Sequence, residues 1–536
     1  MNSAIETQLS RRIFLAASSS GIALSLCGAA ESAAARKLET DVFVYGSTPG
    51  GIAAALEAAR RGCHVILACP KNHAGGMTAS GLCTTDAVRR ELFGGLVEEF
   101  IGRVRSHYQK VFTPDSEDYK LTRDGWFYEP SIAEQVFEEM LGEQSERLTF
   151  LRGHHLLTTK TTGSRIEGIT VEDPQTGKPL QLTAKTYIDG TYEGDLAGQA
   201  GVPYRVGREG RDEFGESLAG IHYMDWKKAV QIETPDSGEP SPAIQAYCAR
   251  SIFTIDPEKL VPLEKPDTYE QHLPDLLPMI DEFASGKVKR RTLGTKLPRQ
   301  KYQLNGSIIQ QTSINCPGVS WAWPEAERHH RARLEKFHVD HAASYAWFLQ
   351  NDPRVPDDVR ALWKRAGLHR DEFTENDHWP WQIYVRQGRR IEGRAKLTQH
   401  SFTIDPKTGH TPRIDNPVAL GEHSFDIHPC HDRRYAVEGW MEGVLWFPKK
   451  ADGPAQPGQI PWGALLPENL DNLIVPVAMS STHIAMSVLR MEPVWMTTGQ
   501  IAGLAAAEAK VQSRDVAQID PDPLPKTLGI LTEPRV

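Results

Sequence analysis

The residues whose types and spacing point most directly to chemistry are residues 46–51, Gly-Ser-Thr-Pro-Gly-Gly. Small residues let a backbone approach a ligand closely, and the free N–H groups at the start of a helix attract phosphate. The segment therefore predicts a site for the pyrophosphate of a dinucleotide. The residues expected to form this site are Gly46, Thr48, Pro49, Gly50 and Gly51.

Two positions depart from the usual dinucleotide pattern. Thr48 stands where the middle glycine is common, and Cys69 stands at the end of the next strand, where an acidic residue usually binds the adenosine ribose. A thiol cannot accept the two hydroxyl hydrogen bonds that a carboxylate accepts. We therefore expect either another group to hold the ribose or a weaker site, and we expect Cys69 to be a packed, inert residue.

The elements that position this turn follow from the flanking sequence. Residues 41–46 are β-branched and aromatic and predict a buried strand, whereas the alanine-rich residues 50–62 predict a helix that ends at a glycine. Residues 63–69 predict a second strand. Strand, glycine turn, helix and strand within about thirty residues form the dinucleotide-binding unit.

Three further segments are expected to lie against the same cofactor. They are the small-residue loop at 73–81, the turn after a strand at 186–189, and the small-residue helix at 493–507. Small residues favour close approach of a backbone to a flat ligand. The residues predicted to contact the cofactor are Gly75, Gly76, Met77, Thr78, Asp189, Gly190, Asp195, Gly499, Gln500 and Gly503.

The order of these segments predicts the organisation of the chain. Short strands at 149–151, 155–159 and 166–171 predict a β-meander that returns to the sheet, and residues 472–478 predict a late strand. We expect an α/β fold, with a Rossmann-like cofactor-binding domain carrying the β-meander and an interleaved α+β substrate domain. The expected parts are 38–204 (cofactor domain, first part), 205–454 (substrate or cap region), 455–515 (cofactor domain, last part) and 516–536 (C-terminal tail).

The first 35 residues predict a twin-arginine signal peptide. Paired arginines, Arg11 and Arg12, precede a modestly apolar stretch at 16–30, and residues 33–35 are three alanines that suit cleavage. This signal predicts a periplasmic or secreted protein. The twin-arginine route carries folded proteins, so it suits a protein that loads its cofactor before export.

Composition excludes several other classes. The formal charge of −9 disfavours sequence-independent binding to nucleic acid, and no later apolar run is long enough to span a membrane. The six cysteines that follow the signal form no CxxC pair. His428 and His431 stand three residues apart with no third ligand in view, so no metal is expected.

Together these motifs resemble the FAD-dependent oxidoreductase family of the glutathione-reductase-type flavoproteins. The resemblance covers roughly residues 40–510 and implies FAD as the cofactor. No second strand, glycine turn and helix unit is visible at 205–450, so no use of NAD(P)H is expected. The stretches that carry the resemblance are 44–55, 75–78, 189–195, 389–393 and 483–503.

A flavin enzyme needs a proton donor or acceptor and a control of charge near the ring. His483 and Arg490 precede the helix expected to face the flavin, so His483 is predicted to move a proton and Arg490 to hold an anionic or carbonyl oxygen. Arg390 is a second candidate. The structural alternative for Arg490 is a pair with Glu492 or with loop carbonyls.

Two functions of different classes remain open from the sequence. The first is an oxidoreductase that transfers hydride between FAD and a small organic substrate, such as a carbohydrate derivative, with an electron acceptor that the sequence does not identify. The second is a lyase or isomerase acting on a carbohydrate, with FAD structural or transiently cycling. A protein that only binds flavin is a third, weaker alternative.

Overall fold

The computed structural model of the protein describes residues 36–225, 228, 230–286, 291–308, 312–431, 440–445 and 456–533. The predicted signal peptide, residues 1–35, lies outside this set. The strands are β1 (Arg36–Tyr45), β2 (Val65–Cys69), β3 (Leu148–Arg152), β4 (His155–Thr162), β5 (Arg165–Glu172), β6 (Pro179–Asp189), β7 (Tyr204–Arg205), β8 (Tyr223–Asp225), β9 (Val230–Ile232), β10 (Ser251–Thr254), β11 (Leu260–Val261), β12 (Thr295–Lys296), β13 (Lys301–Leu304), β14 (Gly367–His369), β15 (Arg390–Ile391), β16 (Pro417–Gly421), β17 (Met441–Glu442), β18 (Gly458–Pro461) and β19 (Leu473–Ile474).

The helices alternate with these strands in the first part of the chain and dominate its end. They are α1 (Pro49–Arg60), α2 (Gly95–Val111), α3 (Glu117–Leu121), α4 (Pro130–Gly142), α5 (Asp195–Gln199), α6 (Arg211–Phe214), α7 (Tyr269–Leu276), α8 (Pro278–Ala284), α9 (Arg328–Asn351), α10 (Asp357–Lys364), α11 (His483–Leu489), α12 (Glu492–Gln512) and α13 (Pro523–Leu528).

A seven-stranded sheet carries the glycine-rich turn. Its strand order is β3-β2-β1-β6-β5-β4, and β19 pairs with β6. The strands β3, β2, β1, β6 and β19 run parallel, whereas β4, β5 and β6 are antiparallel. Val42, Phe43 and Val44 at the end of β1 are fully buried, as expected for a parallel strand covered on both faces. This is the predicted Rossmann-like α/β architecture.

One predicted strand belongs elsewhere in the sheet. Residues 149–151 were expected to begin the β-meander, but they lie in β3, the outer parallel strand beside β2. The meander consists of β4, β5 and β6. The difference arises because a short strand shows its apolar pattern but not its pairing partner, which only the tertiary structure decides.

The sequence misjudged the length of one strand. The late strand, predicted at 472–478, is confined to β19 at residues 473–474, whereas α9 has a charged first half and continues to residue 351. The C-terminal half of α9 is buried, with Ala342, Phe348 and Leu349 at 0% exposure. Packing therefore extends this helix beyond its charged first half.

The middle of the chain is an α+β region. A five-stranded sheet of order β11-β14-β10-β13-β12 is antiparallel throughout, and α9 packs beside α7 and α10. Within the described ranges no helix is long and apolar enough to cross a membrane. Over the same ranges the cysteines from Cys63 to Cys430 are all buried and unpaired.

Candidate cofactor site and catalytic centre

Three glycines let two turns of the sheet meet backbone to backbone. Gly46 has a φ of +105°, in the region that favours glycine. A Cβ on Gly51 would lie 2.0 Å from the carbonyl oxygen of Gly46, and one on Gly190 would lie 2.6 Å from the Cα of Gly51. The turn after β1 and the turn after β6 therefore touch only because these positions lack side chains.

Thr48 has a defined part in this contact. Its Oγ1 accepts a hydrogen bond from the backbone N–H of Gly51 at 3.1 Å and donates to the carbonyl of Gly190 at 2.6 Å. Thr48 is thus the N-cap of α1, and Pro49 occupies the first helical position. Threonine at residue 48 gives the backbone less conformational freedom than glycine would, but its side chain caps the start of the helix.

A cavity of about 810 Å³ opens beside this helix start. Its volume falls within the usual range of about 300–1,000 Å³ for small-molecule and cofactor sites. Among the residues predicted to contact the cofactor, those that line it are Gly46, Thr48, Gly76 and Asp195. The position next to a capped helix N-terminus and the bare backbone of two glycines fit a dinucleotide cofactor.

The cavity that Cys69 lines also contains a carboxylate from another part of the chain. Lys71 and Glu335 line the same cavity as Cys69, and the Lys71 ammonium contacts both Glu335 carboxylate oxygens at 2.7 and 2.9 Å. Glu335 belongs to α9, so its carboxylate comes from the middle of the chain. No local motif marks it, and sequence reasoning missed it.

The loop at 73–81 is held by contacts within the protein. A Cβ on Gly75 would lie 2.6 Å from the ring of Phe137, and one on Gly76 would lie 2.3 Å from the hydroxyl of Tyr192. The same hydroxyl accepts the N–H of Met77 at 2.9 Å. Gly76 lines the cavity, whereas Gly75, Met77 and Thr78 are buried and are not among its lining residues.

Asp189 and Asp195, predicted together, have different surroundings. The carboxylate of Asp189 accepts hydrogen bonds from Thr191 at 2.6 and 3.0 Å and from the N–H of Ala197 at 2.8 Å. Burial raises the pKa of Asp189 to about 6. Both of its oxygens are occupied by the chain itself, so this residue shapes the turn and offers no free carboxylate.

Asp195 lines the cavity and is paired with two arginines. Arg331 contacts both of its oxygens at 2.6 and 2.7 Å, and Arg389 contacts one at 2.9 Å. Burial alone would raise the pKa of Asp195, but the two guanidinium groups hold it below its usual value. Arg331, like Glu335, comes from α9, whose first turns line the cavity.

The three residues predicted on the C-terminal helix lie in a helix–helix contact. A Cβ on Gly499 would lie 2.0 Å from the carbonyl oxygen of Gly50, and one on Gly503 would lie 2.3 Å from that of Ala54. The Gln500 side chain accepts the N–H of Leu96 and donates to Glu57. Close packing of α12 on α1 therefore accounts for the small residues at these positions.

A buried hydrogen bond ties the start of α12 to the cofactor loop. The Tyr192 hydroxyl donates to Glu492 at 2.6 Å while it accepts from Met77. Burial raises the pKa of Glu492 to about 8, so this carboxyl is protonated at neutral pH. Glu492 does not pair with Arg490, which contacts Asp426 at 2.7 Å instead.

His483 belongs to a buried group of three side chains. Its Nδ1 lies 2.8 Å from Glu209, and Arg390 contacts the other oxygen of Glu209 at 2.7 Å. All three are nearly inaccessible, with His483 and Arg390 at 1% exposure and Glu209 at 4%. The Nε2 of His483 is buried without a hydrogen-bond partner in the structure.

The charges of this group follow from its surroundings. Burial lowers the pKa of His483 to about 4 against the opposing effect of Glu209, so the imidazole is neutral at neutral pH. Burial opposes ionisation of Glu209, but Arg390 and the hydrogen bonds from His483 hold its pKa well below its usual value. A neutral imidazole whose Nδ1 donates to a carboxylate has its Nε2 lone pair available as a base.

Arg490 and His483 lie apart, at the two ends of α11. The helix has seven residues, so its ends are about 10 Å apart at a rise of 1.5 Å per residue. Arg490 also reaches the hydroxyl of Tyr384 at 3.5 Å. The predicted catalytic residues therefore form two separate polar groups, and Glu209, the partner of two of them, was missed because it is about 270 positions before His483.

Within the described residues no cluster of three or more histidine, cysteine, aspartate or glutamate side chains is arranged to hold an ion. His428 instead accepts a hydrogen bond from Asn315 at 3.0 Å.

Comparisons with solved structures give partial likenesses. A myxobacterial chondrochloren halogenase, a variant of the FAD-dependent halogenases, is 11% identical with a TM-score of 0.34, covering 91% of this chain and 78% of that one. A glycerol-3-phosphate dehydrogenase from Bacillus halodurans complexed with FAD is 13% identical with a TM-score of 0.21, covering 35% and 43%. L-proline dehydrogenase from P. horikoshii is 16% identical with a TM-score of 0.19, covering 33% and 26%. This chain thus spans less than half the length of the last two proteins.

A search of curated proteins finds no match. The model of the family described as FAD dependent oxidoreductase matches residues 41–528, which include the glycine-rich turn, the cavity and both polar groups. The chain therefore belongs to the FAD dependent oxidoreductase family, and its cofactor is FAD.

Proposed function

We propose that this protein is an exported oxidoreductase that takes hydride from a carbon bearing a hydroxyl group in a small organic substrate, such as a carbohydrate derivative. The observation that carries the proposal is the buried Nε2 of His483, which has no hydrogen-bond partner among the described residues and belongs to a neutral imidazole oriented by Glu209. A base of this kind is what oxidation of an alcohol needs from the protein.

Residues of the cavity hold the cofactor in this proposal. The start of α1, with Gly46 and Thr48, binds the pyrophosphate, and Glu335 accepts hydrogen bonds from the adenosine ribose in place of an acid at residue 69. FAD, when bound, supplies a two-electron acceptor for hydride.

His483 moves the proton. Its Nε2 accepts the proton of the substrate hydroxyl as hydride leaves the adjacent carbon, and a carbonyl group forms. The resulting imidazolium donates from Nδ1 to Glu209, whose negative charge stabilises it, and Arg390 keeps that carboxylate in place. In the reverse direction the same nitrogen returns the proton.

Export is supported by the sequence of residues 1–35. The paired Arg11 and Arg12, the apolar stretch and the alanine-rich end form the twin-arginine pattern. We propose a periplasmic or secreted enzyme that folds around FAD before transport. The electron acceptor is oxygen, a quinone or another protein of the cell envelope.

Anaerobic mixing of the purified holoprotein with sugars, sugar acids and hydroxy acids tests the proposal. Lasting loss of the visible flavin absorbance with a carbonyl product is expected for at least one hydroxyl-bearing compound, and NADH is expected to leave the absorbance unchanged. Turnover of a carbohydrate without net reduction would instead establish a lyase or isomerase. Secretion of a fusion that depends on Arg11 and Arg12 tests export separately.

A further inference from the structure

Three buried arginines converge on one tyrosine ring away from His483. The guanidinium carbon of Arg250 lies 3.8 Å from the ring centroid of Tyr384, and that of Arg386 lies 4.8 Å from it. Arg490 reaches the hydroxyl of the same tyrosine at 3.5 Å. The three arginines are only 1–3% exposed, so this arginine cluster is almost fully removed from water.

The cluster contains N–H donors without a hydrogen-bond partner among the described residues. Nε and Nη1 of Arg250, Nε of Arg386 and Nε of Arg490 are buried and make no hydrogen bond in the structure. A guanidinium group carries five N–H donors and cannot be deprotonated in proteins, so each unused donor is costly when it is buried. Unsatisfied donors that meet at one place indicate a ligand that accepts them.

The charge of the cluster indicates the charge of that ligand. Arg490 is paired with Asp426 at 2.7 Å, and Arg250 lies 4.0 Å from Asp86. The hydrogen bonds that Arg386 donates within the described residues go to the backbone carbonyl of Ala246 and to the sulfur of Cys248. Among those residues three positive charges thus face two carboxylates, and one positive charge is unbalanced.

The neighbouring titratable groups do not alter this balance. Burial raises the pKa of Tyr384, so the phenol stays neutral. Burial and the three arginines lower the pKa of His428 well below its usual value, so this histidine carries no charge at neutral pH. A single unbalanced positive charge suits a monoanion better than a dianion such as phosphate.

Short chain segments connect the cluster to the wall of the cofactor cavity. Gln382 lines the cavity, and Tyr384 follows it by two residues, within about 7 Å along an extended chain. Arg490 precedes by two residues Glu492, which is hydrogen-bonded to Tyr192, another lining residue. The three arginines and Tyr384 are not themselves among the residues that line the cavity.

We propose that the arginine cluster binds a carboxylate group of the substrate. A carboxylate matches the planar guanidinium fork in geometry and supplies the single negative charge that the cluster lacks. This inference rests on the proposed function and narrows its substrate class to hydroxy acids, including sugar acids. Arg250, Arg386 and Arg490 orient the substrate, and the proton chemistry stays with His483.

Equilibrium binding of simple anions to the holoprotein tests the site without requiring turnover. Acetate and benzoate at neutral pH are expected to raise the midpoint of thermal unfolding in a saturable way, by about 2 °C or more at saturation, because they bind only the folded protein. Chloride at equal ionic strength is the control. No saturable shift with either carboxylate, or tighter binding of phosphate or sulfate, would overturn the assignment.

Variants locate the binding. Arg386→Met is expected to weaken carboxylate binding about tenfold or more, and Arg386→Lys to restore part of it, since the charge remains while the fork is lost. Arg333→Met, at an exposed position, is the matched control and should bind as the wild type does. Unchanged binding in a folded, flavin-loaded Arg386→Met protein would contradict the proposal, and the wild-type titration decides it if that variant does not fold. Carboxylate binding without flavin reduction by any hydroxy acid would reject the proposed function alone.

Discussion

The glycine turn at the cofactor cavity and the buried polar groups around α11 are built in opposite ways. In the turn, Gly46, Gly51 and Gly190 allow backbones to touch, and the side chain of Thr48 caps the helix that follows. In the polar groups long charged side chains meet from distant segments. The turn depends on the absence of side chains at its glycines, and the polar groups depend on the pairing of buried charged side chains.

This difference determines how each region responds to a substitution. A side chain added to the turn has no room, because its neighbours are backbone atoms that cannot rotate away. A side chain removed from a polar group causes no clash, but it leaves a buried charge or base without its partner and so lowers the free energy of unfolding. Substitutions in the turn should therefore prevent correct folding, whereas substitutions in the polar groups should affect both stability and the reaction.

The largest effect is expected for Gly51→Ala. Its Cβ would lie 2.0 Å from the carbonyl oxygen of Gly46, so the start of α1 must move away from the turn after β1. We expect little or no soluble, flavin-loaded protein, measured by the visible absorbance after purification. Gly102→Ala is the control, since nothing lies within 4 Å of that Cβ in α2. Normal FAD loading of Gly51→Ala would show that the backbone contact is dispensable.

His483→Gln tests the role of the buried polar groups in the reaction. Loss of a positioned general base is expected to lower kcat by about 10²–10⁴-fold while the FAD content stays normal. His329→Gln, whose side chain is 67% exposed, should behave as the wild type. Equal loss of flavin and of activity in His483→Gln would assign this histidine to folding and not to catalysis.

Neutral buried histidines predict a pH dependence of stability that a substitution can isolate. Burial lowers the pKa of His338 and His483 to about 4, against a usual value of 6.5, so the unfolded chain binds their protons first as the pH falls. Each should lower the free energy of unfolding between about pH 6.5 and pH 4, on the order of 1–3 kcal/mol, whereas Asp189 and Glu492, whose pKa values burial raises, act in the opposite direction over the same range. Urea unfolding of the wild type and of His338→Gln at several pH values isolates the histidine contribution, and the wild type should lose more stability than the variant as the pH falls. An identical pH dependence of the two proteins would contradict the protonation state assigned to His338.

The smallest effect is expected for Glu335→Gln. If this carboxylate holds the ribose, FAD affinity should fall by about tenfold, since an uncharged amide accepts weaker hydrogen bonds than a carboxylate. Titration of the apoprotein with FAD, followed by quenching of flavin fluorescence, gives the dissociation constant. Glu375→Gln, at an exposed position, is the control. An unchanged dissociation constant would leave the ribose to another group of the cavity.

The Rossmann-like unit was predictable because its signals are local. The apolar strand at 41–45, the glycines of the turn and the alanine-rich helix are adjacent in sequence, and each has one favoured structure. The structure places the predicted cofactor residues in different surroundings. Gly46, Thr48, Gly76 and Asp195 line the cavity, whereas Gly499 and Gly503 were indistinguishable in sequence from ligand-contacting glycines and lie against α1.

The sequence by itself determined the cofactor-binding frame of this protein, because the spacing of small residues fixes where backbones can meet a phosphate. Only the tertiary structure decided the chemistry around it. Glu209 is about 270 positions from His483, and Arg250 is 240 from Arg490, yet each pair shares one buried site. Residues so far apart carry no pattern that relates them, and a histidine becomes a neutral base, or an arginine an unbalanced charge, only when folding removes water and selects its neighbours.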